Sequence, residues 1–167
     1  MNGVKLLDSL NRYVCSIYPD GNAFGRTSAN YYVHGGAVRM NSAGKYYLNR
    51  NLHLNVNAQP ATNYRMRLYY RNTELNALIA QTGSGVTSQF DLGLLQNADV
   101  CSNAMSAQPF TRKSPNGFGS ISGDRLIDFV NLNTISAFYL LKDCVPNSSL
   151  QNITGCATAN PTYTWNG

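Results

Sequence analysis

The chain has 167 residues, carries a net charge of +5, and draws only 13% of its residues from Asp, Glu, Lys and Arg. That length fits one domain with a single core, and 43% hydrophobic residues exclude a disordered chain. No apolar run approaches the roughly 20 residues of a membrane span, and the scattered basic residues lack the clustering of a nucleic-acid surface.

Taken in chain order, "MNGVKLLDSLNRY" lacks the apolar core and cleavage site of a signal peptide, so residues 1–11 are expected to be irregular. "RYVCSIY" predicts a strand with Tyr13, Cys15 and Ile17 on one face, and "PDGN" a turn. "NYYVHGGAVRM" predicts a strand broken near Gly35 and Gly36, followed by the turn "NSAG". "KYYLNRNLHLNVN" sets Leu48, Leu52, Leu54 and Val56 at even positions, which predicts one buried and one wet face.

"YRMRLYYRNTELNALIA" changes period midway. Met66, Leu68 and Tyr70 alternate with Arg65, Arg67, Tyr69 and Arg71; then Leu75, Leu78 and Ile79 follow helical spacing. Asn72 or Thr73 is placed to cap that short helix, Glu74 favours its positive end, and "QTGSG" stops it. "QFDLGLL" (89–95) predicts a strand, "TRKSPNGFGS" a loop or hairpin turn, and "RLIDFVNL" and "ISAFYLL" the last strands. From about residue 143 the chain is polar and irregular. The expected fold is all-β: one antiparallel β-sandwich domain of about seven or eight strands with one short helix.

The four cysteines, Cys15, Cys101, Cys144 and Cys156, have no CxxC or histidine spacing for zinc. An even count in an Asn- and Tyr-rich chain predicts disulfides and an oxidising compartment. Of three possible pairings, Cys144–Cys156 with Cys15–Cys101 is favoured, because the first closes a short polar loop; four buried free thiols are the alternative. "PDGN" and "NAD" lack the dense acidic spacing of a calcium loop, so neither a metal nor a cofactor is expected.

Catalysis requires carboxylates or a histidine held together with separated proton affinities. Asp91 and Asp128, both within predicted strands, form the most interesting pair, although partnership with arginine explains each more simply. His34 and His53 stand apart without a nucleophile motif, and no G-x-S-x-G elbow occurs. "GSGVTS" lacks the lysine of a phosphate loop and reads as linker, and "NSS" and "NIT" read as polar loop. A ligand or partner surface is expected from Tyr31, Tyr32, Tyr46, Tyr47, Arg65, Arg67, Tyr69, Arg71 and Trp165, whose phenols and guanidiniums suit polysaccharide or protein contact.

The runs "YYLNRN", "YRMRLYYRNTELNALIA", "FDLGLLQNADVCSNA" and "TISAFYLL", spanning most of residues 46–141, resemble a module of secreted Bacteroidetes proteins. That module commonly lies just ahead of the sorting domain used by type IX secretion. The resemblance implies a β-sandwich on secreted or surface-attached proteins and no single activity. Here the late strand lacks the usual acidic or polar residue before Phe138, and no sorting domain follows Gly167. The expected function is therefore a non-catalytic cell-surface module for attachment or assembly, contacting other surface proteins or copies of itself; the alternative is a carbohydrate-binding accessory module of a larger secreted enzyme. Residues 1–11 and 157–167 are candidates for donating a strand to a neighbour.

Overall fold

The computed structural model describes residues 3–97, 104–105 and 111–143. Its elements are β1 (Val4–Leu7), β2 (Tyr13–Tyr18), β3 (Thr27–Val33), β4 (Arg39–Met40), β5 (Tyr46–Val56), β6 (Tyr64–Arg71), α1 (Asn72–Ala80), β7 (Leu92–Asn97), β8 (Thr111–Lys113), β9 (Gly117–Ile121), β10 (Asp124–Leu132) and β11 (Ala137–Lys142). Two antiparallel sheets result. One runs β1-β2-β6-β10-β9; the other runs β3-β5-β11-β7-β8, with β4 also paired to β5. The β-sandwich expected from the sequence is present, with more strands than expected. The extra ones are short: β1, β4, β8 and β9 hold four, two, three and five residues, too few to display a period.

The core forms where the alternation predicted it. Leu48, Leu52 and Leu54 of β5 meet Met66, Leu68 and Tyr70 of β6 between the sheets, joined by Ile127, Phe129, Phe138 and Leu140. Each fully buried aliphatic or aromatic side chain of this kind contributes about 1.5–3 kcal/mol. Helix α1 adds Leu75 and Leu78 to the same core, so the change of period after Arg71 marks a strand passing directly into a helix that plugs the sandwich.

Three local expectations are corrected. The helix is capped by Arg71, not Asn72 or Thr73; Glu74 reaches back to the Arg71 backbone N–H at 2.9 Å. Asn72 is occupied elsewhere, donating to the Gly123 carbonyl and accepting from Arg125 Nε. Gln89–Asp91 form a 3-10 turn, so the strand starts only at Leu92. Tyr13 does not share a face with Cys15 and Ile17. A bulge lets Leu6 face Cys15 and Leu7 face Tyr13, leaving Val14 unpaired with β1, so both Val14 and Cys15 join the core and Tyr13 turns outward.

Two tight turns follow their residues. In Pro19–Asn22, Asp20 and Gly21 both have positive φ, 50° and 94°, and the Asn22 N–H closes on the Pro19 carbonyl at 3.0 Å. Ser122 and Gly123, at 49° and 85°, join β9 to β10 in the same left-handed manner, which suits the twist of a two-residue hairpin.

Cys15 is a free thiol, fully enclosed between the sheets, and burial pushes it up to about 12. The expected Cys15–Cys101 bridge is thereby corrected: Cys15 lies beside Leu68 of β6 and Leu6 of β1, on the inward side of the strand. Cys101 and the expected Cys144–Cys156 pair lie outside the described residues, as do Trp165 and residues 157–167.

Candidate functional site

Of the nine residues expected to share a contact surface, the eight that lie among the described residues are distributed over both faces of the sandwich and its interior. Arg65, Arg67, Tyr69 and Arg71 occupy the outer face of the first sheet, as their alternation required. Each arginine there meets a carboxylate. Arg67 grips Asp128 across the β6–β10 register with bonds of 2.6 and 2.9 Å, Arg65 grips Asp20 at 2.8 and 2.9 Å, and Arg71 lies 3.6 Å from Asp124. The Asp128 hydrogen bond holds Arg67 well above the usual arginine range. The pairs are a quarter to a half exposed, so each adds at most about 1 kcal/mol; their effect is to leave little uncommitted positive charge on this face.

The aromatic rings of this face are also covered. Tyr13 stacks on Tyr69 with centroids 5.0 Å apart, and Lys5 lies 5.6 Å above the Tyr13 ring. Arg65 lies 5.1 Å above Tyr18, and the Tyr69 hydroxyl is 3.3 Å from Ser16 Oγ.

The outer face of the second sheet holds a group of residues that sequence reasoning passed over. The odd positions of β5 point outward, as expected, yet from Tyr47 to His53 they are not wet. Tyr47, Asn51 and His53 are all under 5% exposed. They lie in a second apolar cluster with Leu95, Met105, Ala137, Tyr139 and Leu141, or directly against it. Arg39, from the two-residue strand β4, inserts its guanidinium between the rings of Tyr32 and Tyr47, at 5.2 and 4.6 Å. It donates to Asn51 Oδ1 at 2.9 Å and to the Leu48 carbonyl at 3.1 Å, and burial pulls its proton affinity down.

These bonds orient the Asn51 amide. Arginine has only donors, so Asn51 must turn its oxygen to Arg39 and its Nδ2 to His53 Nε2, 2.8 Å away. Tyr139 OH lies 3.4 Å from the same nitrogen and donates to the Ala104 carbonyl at 3.3 Å, and the Met105 N–H donates to Tyr47 OH. The network thus ties Ala104 and Met105 to the sheet. The only sequence signal for it was the run of Asn and His opposite the β5 leucines.

Tyr31 and Tyr46 turn inward and pack against the main core. Arg50, also on the inner side of β5, passes between the sheets under the Tyr31 ring, 4.9 Å from its centroid, and binds Glu74 of α1 with bonds of 2.7 and 3.0 Å. Its Nη1 donates to the Tyr69 carbonyl at 2.9 Å, so one side chain ties both sheets and the helix together. A small cleft beside it is lined mainly by Val14, Leu52, Leu68, Phe138 and Leu140. Burial raises the Tyr31 hydroxyl to about 12.

Asp91 and Asp128 do not face one another as a pair. Asp91, at the head of β7, is pushed up by burial, but bonds from Thr87, Lys142 and Ser88 bring it down to about 2; Asp128 belongs to Arg67 on the other sheet. Six carboxylates, those of Asp8, Asp20, Glu74, Asp91, Asp124 and Asp128, are committed to cations. Among the described residues no three His, Cys, Asp or Glu side chains converge to hold a metal, and no helix is long and apolar enough to cross a membrane. Among the described residues Tyr70 OH, in the core, is one of the buried polar atoms without a hydrogen-bond partner. Tyr70→Phe is expected to leave stability unchanged or raise it by about 0.5–1 kcal/mol in urea unfolding, since removing an unsatisfied hydroxyl costs nothing in contacts.

No family model, no curated protein and no solved structure matches this chain. The likeness to the secreted Bacteroidetes module therefore stands on the short sequence runs given above.

Proposed function

We propose that this chain is a non-catalytic β-sandwich module of the secreted or cell-surface kind, serving attachment or assembly as a structural subunit. The observation that carries this reading is where the uncommitted surface lies. The arginines and carboxylates on the outer face of the first sheet are engaged with one another and its phenol rings are covered, whereas three of the seven exposed large hydrophobic side chains among the described residues lie along β1 and the turn after it: Val4 is 56% exposed, Leu7 49% and Leu10 66%. Apolar groups left together on an edge suit contact with protein. The resemblance to secreted Bacteroidetes modules supports the extracellular placement.

The second reading is a carbohydrate-binding accessory module, favoured by the supply of Tyr, Asn and Arg on both faces. A sugar platform needs an open ring face, and Tyr13, Tyr18, Tyr31, Tyr32 and Tyr47 each have a cation above a ring. A polysaccharide and glycan array is expected to give no binding; a saturable glycan signal would favour the second reading. Antibody raised against the native protein is expected to label intact cells or the culture medium of the source organism. Labelling that appears only after lysis would overturn the surface assignment.

A further inference from the structure

We propose that two copies of this chain associate through β1, edge to edge and antiparallel, with a two-fold axis at Leu6. The inference rests on the assembly reading above and names its partner as a second copy of the same chain.

β1 is the terminal strand of its sheet, with β2 on one side and no strand among the described residues on the other. Its free backbone groups form an open ladder, the usual template for pairing with another chain. The apolar surface is concentrated there too. Of seven exposed large hydrophobic residues, Val4, Leu7 and Leu10 lie at this edge. The strand is held in extended form at its far end by Asp8, which accepts from the backbone N–H of Leu10 and Arg12 at 2.8 and 3.0 Å and pairs with the Arg12 guanidinium.

The register with β2 fixes which way each side chain points. Val4 faces Ile17 and Leu6 faces Cys15, on the core side; Lys5 faces Ser16 and Leu7 faces Tyr13, on the outer side. Two copies of the sheet continue as one only when opposing residues share a side, so core-side residues must oppose core-side residues. Two short registers satisfy this. Centring the axis on Lys5 sets one ammonium directly against the other, a like-charge pair on an otherwise apolar strand. Centring it on Leu6 pairs Leu6 with Leu6, Lys5 with Leu7 of the second copy, and Val4 with Asp8. In that register Lys5 opposes no cation, and its aliphatic stem lies along an exposed leucine while its ammonium stays over Tyr13. The strand is therefore self-complementary in one register, which is what a two-fold interface between identical copies requires. Two five-stranded sheets become one. With four residues in each strand, the contact is a weak, concentration-dependent one.

Sedimentation velocity over a wide concentration range tests this. The unmodified chain is expected to shift from monomer to dimer as concentration rises. Leu7→Lys puts two lysine pairs across the axis and is expected to weaken dimerisation by about tenfold or more. Adding Lys5→Glu to Leu7→Lys turns both pairs into Glu–Lys and is expected to restore the dimer. All three proteins should melt alike, since both side chains point away from the core. A chain monomeric throughout would overturn the inference while leaving the surface-module reading to the cell-labelling result. A Leu7→Lys protein that dimerises like its parent would move assembly to another surface, and a folded double variant that stays monomeric would overturn the Leu6 register.

Discussion

Glu74→Ala is expected to lower the free energy of unfolding by about 3 kcal/mol, more than any other change of a surface-proximal charge in this chain. Two roles are lost together. The Glu74 carboxylate binds Arg50 through two hydrogen bonds, with both side chains only 11% exposed, and it also accepts the Arg71 N–H at the first turn of α1. Truncation leaves the Arg50 guanidinium between the sheets without its counter-ion and opens the helix start. A lost helix cap by itself costs about 0.5–2 kcal/mol, and an abandoned buried charge more. The measurement is urea unfolding, in which the midpoint falls with an unchanged slope. Replacing both partners by apolar residues of similar size, Arg50→Met with Glu74→Leu, is expected to recover most of the loss, because no charge is then stranded. A cost for Glu74→Ala under about 1 kcal/mol would instead place the pair with the solvated bridges of the outer face.

Phe138→Ala is expected to cost about 3–5 kcal/mol by the same measurement. Phe138 is 1% exposed in β11, the middle strand of its sheet, where it opposes Leu52 of β5 and Gln96 of β7. It borders the small cleft with Val14, Leu52 and Leu68, so its removal enlarges an existing gap between two hydrogen-bonded sheets. Strands paired on both sides cannot collapse into such a space, which places the cost toward the upper part of the range. Phe138→Leu fills most of the volume and is expected to cost far less.

The sequence made these two positions legible to different degrees. Phe138 lies in an apolar run that reads as a buried strand. Arg50 alternates in phase with Leu48 and Leu52, on the inward side, but a charged residue at a core position announces a partner without saying which. The polar side of β5 misled in the opposite direction. Asn51 and His53 look solvent-facing, yet they are enclosed: Arg39 donates to the Asn51 oxygen, the Asn51 amide nitrogen reaches His53, and the Tyr139 ring packs against the imidazole. Polarity signals a need for partners, and water is only one of them.

Other misses have equally local causes. Tyr13 sits on the wrong side of its strand because one bulge shifts the alternation by a residue. Asn72 has good capping chemistry but is drawn into bonds with Gly123 and Arg125, which appear only once the β9–β10 hairpin has folded beside it. β1 and β4 hold too few residues to show a period, and they carry Leu7 and Arg39 respectively. The residues most relevant to contact therefore lay where sequence periodicity is weakest.

Hydrogen exchange measured at low and at high protein concentration probes this account most directly. If assembly runs through the free margin of the sheet, extra amide protection appears at high concentration across residues 3–10, while the outer faces of β5, β6 and β11 exchange alike at both. Concentration-dependent protection spread over those faces, or none at residues 3–10, contradicts it.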